Sequence, residues 1–301
     1  MDYINIKEAK KIYKKGGNIS SFLKKKYKDT LSLNQIIELS YDLQTGDYIR
    51  YFRENPVFAK NYSKELADII KPFVKKKDVV LDIGSGEFSG LAFLLKYLNI
   101  ENSNIYAFDI SLSRVLKGVQ FTNIFLKKNV INPFVADIEN IPFSDQSIDV
   151  ITSSHALEPN GTKLKILLKE LFRICKGYII LHEPYFEIAS KEAKKRMNKY
   201  GYIKNIEETI KDLNGKIIDI KIKKYVYTDL NPTACFIIQP PKPKKTKFIN
   251  KTYFTIPGTN FKLKKSNGYF LSEETGILFP IIKDIPILVK KSSILATILN
   301  K

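Results

Sequence analysis

The chain has 301 residues, 44% of them hydrophobic, 27% charged, and a formal charge of +19. That composition excludes a disordered chain and leaves one large domain with additions, or two domains. No apolar run approaches the ~18 residues of a membrane span, and the opening MDYINIKEAKKIYKKGG lacks the apolar centre of a secretory signal. A cytoplasmic protein without a membrane span is expected. The charge invites a nucleic-acid reading. Yet only Arg50, Arg53, Arg114, Arg173 and Arg196 are arginines among 50 basic residues, and the lysines are spread along the whole length. Arginine is the residue suited to bidentate phosphate and base contacts, so a solvated lysine surface is favoured over an RNA track. Cys175 and Cys235 are far apart and form neither a disulfide framework nor a metal-binding pair; no metal is expected.

Residues 1–70 read as a helical region. NQIIELSYDLQTGDYIRYF places Ile36, Ile37, Tyr41, Leu43, Tyr48 and Tyr51 near helical spacing, weakened at Gly46. SKELADIIKPFV follows, with Ser63 as the expected N-cap and Pro72 as a stop. From residue 78 the pattern changes to alternation. DVVLDIG, NIYAFDIS, NPFVADI, SIDVITSS and GYIILHEP read as strands, separated by helical stretches such as SGLAFLLKYLN, SRVLKGVQFTNIFLKK and TKLKILLKELFRICK. IASKEAKKRMNKYG and NIEETIKDLNG read as helices. KIIDIKIKKYVYT and TACFIIQ read as two closing strands on an antiparallel edge. Strands alternating with helices predict an α/β fold with a doubly wound, mostly parallel sheet over residues 71–239. Residues 240–247 are a proline-rich, basic linker. Residues 248–301 are expected to be a small β-rich unit, too small for its own core and therefore docked on the main domain or on a partner.

VVLDIGSGEFSG carries the first chemical signal. In a strand–turn–helix unit, Gly84 and Gly86 let the backbone approach a ligand closely. Asp109 ends the next strand, 23 residues after Gly86, where a carboxylate can accept from both hydroxyls of a ribose. A dinucleotide fingerprint would need glycine at Ser89 and has no use for Asp82. An adjacent ammonium group explains Asp82, and S-adenosylmethionine (SAM) carries one.

Residues 78–183 resemble the class I SAM-dependent methyltransferases of small-molecule type. VLDIGSG is similar to their first motif and IYAFDIS to the second. VADIENIPFSDQSIDVIT is similar to the third and fourth, with IPFSDQSIDVI in place of the usual LPF-D-SFDVV. The resemblance implies a Rossmann-like methyltransferase fold with SAM as cofactor. It places the ribose on Asp109 beside Ile110, the adenine amino group on Asp137 and the ring against Ile138, with Asp82, Gly84 and Gly86 at the first turn. Phe88 departs from the pattern, standing where a third glycine is common. SYDLQTGDYIRYF resembles the lid helix of these enzymes, with Tyr41, Gln44 and Tyr48 near one face.

Ligands of doubly wound sheets bind at the carboxyl ends of the strands. Both histidines of the chain fall there, His155 after SIDVITSS and His182 after GYIIL. Histidine is the side chain best placed to take a proton near neutral pH, so His155, His182 and the nearby Glu158 are the catalytic candidates. Glu183 could orient an imidazole or bind the acceptor, and Asn160 or Thr162 is expected to cap the next helix. GYFLSEETGILFPIIKDIPILV resembles the end of the small Trm112-type zinc-ribbon activators of tRNA, rRNA and protein methyltransferases. Its ribbon cysteines are absent, and Asp284-Ile285 replaces the usual glycine. YDLQTGDY, SHALEPNG and LHEPYFE together resemble methyltransferase-domain proteins of bacterial surface-polysaccharide and nonulosonate pathways. The expected activity is methyl transfer to N or O of a small molecule, with a carbohydrate as a candidate acceptor. Two alternatives remain: a tRNA or rRNA methyltransferase with a fused Trm112-like unit, and a non-catalytic SAM-binding or scaffold protein. A protein partner or self-association would use the C-terminal unit.

Overall fold

The computed structural model describes residues 4–98, 104–127, 130–242 and 253–300; most of the expected linker lies outside them. Five helices open the chain: α1 (Lys7–Lys14), α2 (Ile19–Tyr27), α3 (Leu33–Leu43), α4 (Asp47–Glu54) and α5 (Pro56–Ile70). The alternating part runs β1 (Val79–Ile83), α6 (Ser89–Leu98), β2 (Asn104–Asp109), α7 (Leu112–Leu126), β3 (Ile131–Ala136), β4 (Ile148–Ser154), α8 (Leu164–Ile174), β5 (Cys175–Pro184), α9 (Lys191–Tyr200), α10 (Ile206–Asp212), β6 (Lys216–Ile222) and β7 (Thr233–Gln239). The C-terminal part adds β8 (Lys264–Lys265), β9 (Tyr269–Leu271), β10 (Ile277–Ile282), β11 (Ile285–Leu288) and β12 (Ile294–Leu295).

The sheet order is β6-β7-β5-β4-β1-β2-β3-β11-β10-β9-β8. From β5 through β3 to β11 all pairings are parallel. β7 runs antiparallel between β5 and β6, the expected antiparallel edge. Strand alternation explains the layers. Leu81, Ile83, Phe108, Phe134 and Ile151 face one core with α8 and α10. Val80, Ala107, Val135 and Val150 face the other with α5, α6 and α7. Because the chain steps from β1 outward in both directions, the crevice between β1 and β4 opens at their carboxyl ends.

Three local expectations are corrected. NQIIELSYDLQTGDYIRYF is two helices, broken where Gly46 takes φ 103°. Ser63 is not a cap. It lies buried inside α5, which Pro56 starts from the first position where its missing N–H costs nothing. Neither Asn160 nor Thr162 caps α8, since a 3₁₀ segment, Glu158–Lys163, runs directly into it and Asn160 donates instead to the Ala156 carbonyl. Both cysteines are buried and free. No described helix is long and apolar enough to cross a membrane.

The C-terminal strands continue the main sheet. β11 lies parallel to β3, with Ile287 opposite Val135 and Leu288 opposite Ala136. Phe254, Leu263, Phe270 and Phe279 pack with Phe134 and Phe143 in one core. A two-residue hairpin joins β10 to β11, with Lys283 and Asp284 at φ 49° and 64°. These left-handed residues form the tight turn in which the resemblance leads one to look for glycine. Ending the chain at Gln239 would open the β3 edge and this aromatic face, and such edges template association. The truncated chain is expected to aggregate in size-exclusion chromatography. A monomer with the full chain's melting temperature would show that residues 1–239 need nothing beyond themselves.

Candidate functional site

A cavity of about 550 Å³ lies at the carboxyl ends of β1, β2, β4 and β5, roofed by α2, α3 and α4. It gathers the expected cofactor and catalytic residues: Asp82, Gly84, Gly86, Asp109, Ile110, Asp137, Ile138, His155, Glu158 and His182. Tyr41, Gln44 and Tyr48 line it from the lid.

The turn after β1 is shaped by missing side chains. Gly84 and Gly86 take φ 56° and 58°. A Cβ on Gly84 would stand 2.5 Å from the Ala156 Cβ, and one on Gly86 2.6 Å from Arg114 Nη2. Phe88, also left-handed at φ 57°, turns fully into the core against Gly118 of α7, where an added Cβ would meet its ring at 2.7 Å. The missing third glycine is therefore offset by a glycine on the facing helix.

Carboxylates surround this turn. Asp82 accepts from Thr152 Oγ1 at 2.6 Å, and burial pushes its carboxyl up to about 6. A cationic group beside it would restore its charge. Asp109 accepts the backbone N–H groups of Gly86 (3.0 Å) and Ser111 (2.9 Å). Asp137 accepts from the Glu139 N–H at 3.0 Å and from Asn34 Nδ2 at 2.7 Å. Backbone bared at a helix N-terminus, a ring of hydrogen-bonding carboxylates and an apolar pair, Ile110 and Ile138, fit an adenosine with a charged amino-acid tail. The residues present thus suit SAM, and Asp82, Asp109 and Asp137 would hold its ammonium, ribose and adenine.

The lid is tied to these same residues. Buried Glu87 accepts the N–H of Ile49 at 2.9 Å and that of Gly46, so a carboxylate from the cofactor turn caps α4, whose own N-cap has no side chain. Ser111 donates to Asp42 of α3 at 2.7 Å. Asn34 bridges Asp137, Glu139 and Lys163. Sequence reasoning missed Asn34, Glu87 and Arg114. Glu87 stood inside the quoted motif, and Arg114 was one of only five arginines.

The two histidines differ in environment. His155 takes φ 59° and donates its backbone N–H to the His182 carbonyl at 2.8 Å. Its Nδ1 lies 2.7 Å from Glu158 Oε2, which also accepts from Asn231 Nδ2 at 3.1 Å. Burial pulls the imidazole down, but the hydrogen bond and charge of Glu158 outweigh it and hold the pKa above the ordinary value. Glu158 also feels burial, yet His155, Tyr202 and Asn231 keep it below the usual range. His182 Nδ1 faces the Ser153 carbonyl at 3.1 Å, so that nitrogen carries the proton. Its Nε2 is a buried lone pair with no partner among the described residues. Burial and the charge of Lys223 push its pKa well down. Glu183 does not line the cavity. It accepts from Ser153 Oγ, Leu157 N–H and Glu158 N–H at 2.9–3.0 Å, and burial pushes it up to about 7. Its task is to hold the 153–158 loop. Heteronuclear NMR of the two imidazoles should show one titrating above ~6.5 and the other remaining a neutral Nδ1–H tautomer to well below it. Two ordinary titrations would contradict these environments.

Comparisons with known proteins identify the family. Residues 74–231, just over half of the chain, match a family described as methyltransferase domain. Malonyl-[acyl-carrier protein] O-methyltransferase of Marinomonas sp. (strain MWYL1) is 34% identical over 110 residues, covering 36% of this chain and 38% of that protein. The chain thus spans well under half the length of that curated relative. Among solved structures, a chain from the complex of the Haloferax volcanii Trm112 methyltransferase activator with a methyltransferase superposes with a TM-score of 0.52 at 17% identity, over 67% of this chain and 98% of that one. Geranyl diphosphate C-methyltransferase from Streptomyces coelicolor A3(2), bound to Mg²⁺, geranyl diphosphate and S-adenosyl-L-homocysteine, gives a TM-score of 0.46 at 10% identity, over 59% of this chain and 80% of that one. The chain belongs to the methyltransferase-domain family, and SAM is the cofactor that its motif residues are built to hold.

Proposed function

We propose that this SAM-dependent methyltransferase methylates an oxygen or nitrogen of a polar small molecule, with a sugar or nonulosonate precursor of a surface polysaccharide as the favoured acceptor class. The observation that carries the reading is the His155–Glu158 pair on the wall of the same cavity that holds the cofactor residues. The sulfonium of SAM supplies a methyl group that is already activated. What remains for the chain is to hold the acceptor in line and receive its proton. With Glu158 accepting from His155 Nδ1, Nε2 is the nitrogen left to take that proton. The lone pair on His182 Nε2 can accept a hydrogen bond that orients the acceptor.

The outer lining supports a polar acceptor. Beyond the cofactor residues, the lining includes amides, hydroxyls and tyrosines, among them Asn18, Ser20, Tyr200 and Asn231, with Lys24, Arg196 and Lys199 as cations. The Marinomonas relative is an O-methyltransferase by name, which supports oxygen as the acceptor atom.

A second reading is an RNA methyltransferase carrying its own Trm112-like unit. It draws on β11, which adds a parallel strand to the open edge of β3, and on the Haloferax neighbour, solved with its activator. The scarcity of arginine weighs against it. The third reading, a scaffold that binds SAM without turnover, has no observation of its own.

A strain lacking the protein should accumulate one metabolite lighter by a single methylene, and the purified protein with SAM should convert it. His155→Ala should keep SAM affinity and lose about 10²-fold or more in kcat. A histidine base must be neutral, so turnover should rise with pH through the raised imidazole value, above ~6.5. Glu158→Gln removes the charge that raises it and should move the inflection to lower pH. Full turnover and an unchanged pH profile in His155→Ala would remove the base role. Methylated RNA with no altered small molecule would favour the second reading.

A further inference from the structure

One cation inside the cavity has no task in the reaction just described. Arg114 stands on the first turn of α7, five residues beyond Asp109, and is 5% exposed. Its guanidinium carbon lies 5.1 Å from the ring centroids of both Tyr41 and Tyr48, which belong to the lid helices. Its Nη2 rests against the bare face of Gly86. Its Nε is buried and has no hydrogen-bond partner among the described residues. Burial disfavours its charge, but the fields of Asp109 and Glu87 hold it cationic.

A buried guanidinium without an oxygen acceptor is costly. Two aromatic faces offset part of that cost, but ring faces do not satisfy N–H donors aimed along the guanidinium plane. Arg114 lines the cavity, so the acceptor for its guanidinium N–H groups is to be sought in what fills that space. Its position narrows the choice. Arg114 lies against Gly86 and within the field of Asp109, the residue expected to bind the ribose. A ribose hydroxyl donates one proton and accepts others. Asp109 can only accept, and Arg114 can only donate. Together they match both faculties of the same hydroxyls.

We propose that Arg114 is a cofactor-positioning residue whose guanidinium donates to the ribose oxygens of SAM, with the rings of Tyr41 and Tyr48 holding it in place. The inference rests on SAM as the cofactor, and it adds a sugar contact that no motif supplies.

Calorimetry with three ligands tests it: SAM, S-adenosylhomocysteine and 5′-methylthioadenosine, which keeps adenine and ribose but lacks the amino-acid end. Arg114→Met should weaken all three by a similar factor, on the order of 10-fold or more, the weight of a charge-assisted hydrogen bond. Arg114→Lys keeps the charge without the fork and should lose less. It also carries the test if the Met variant fails to fold. Unchanged binding of all three ligands would overturn the assignment. So would a loss confined to SAM and S-adenosylhomocysteine, because the guanidinium would then be reading the carboxylate. If the wild-type chain bound none of the three, the cofactor itself would be wrong, which is a separate failure.

Discussion

The turn at Gly84–Ser85–Gly86 is the constraint on which the site depends. Its two left-handed glycines leave the end of β1 without side chains at the point where the strand order reverses. Two neighbours occupy the space that side chains would have taken. Ala156 closes on Gly84 from the β4 loop, and Arg114 closes on Gly86 from α7. The loop bearing the catalytic candidates and the helix bearing the ribose-side cation are thus both positioned against bare backbone. A substitution at either glycine would displace the cofactor floor and one of these walls together.

Carboxylates do most of the joining between the parts. Glu87 caps the lid helix, Asp137 receives Asn34 from α3, and Glu183 gathers three donors beneath the 153–158 loop. Each is buried or half-buried and hydrogen-bonded, and removing one partner of such a group costs more than the bond contributes. The lid therefore does not rest on the cofactor site through apolar contact alone. It shares hydrogen bonds with the candidate cofactor residues, so cofactor affinity and lid position are expected to be linked.

The alternating core was readable because short continuous apolar runs such as VVLDI are buried on both faces and bounded by glycine. That the ten candidate residues line one cavity was readable for a related reason: they sit at or just after strand ends, and the topology brings strand ends together. What the sequence concealed was long-range or conformational. Asn34 reaches Asp137 across 103 residues, and Glu87 reaches Ile49 across 38; neither pairing leaves a local pattern. Ser63 looked like a cap because it precedes an apolar run, but Pro56 had already started the helix one segment earlier. The docking of the C-terminal strands on β3 was legible only as a shortage of core in residues 248–301. The particular edge that they cover could not be read from composition.

A crystal structure with S-adenosylhomocysteine tests the central claim most directly, because the claim is that one cavity orders cofactor, lid and acceptor histidines around a single backbone turn. The account predicts the adenine beside Asp137 and Ile138, the ribose between Asp109 and Arg114, and the sulfur directed toward His155, with Tyr41 and Tyr48 closed over the ligand. A ligand bound elsewhere, or seated in this cavity with its ribose away from Asp109, would contradict it.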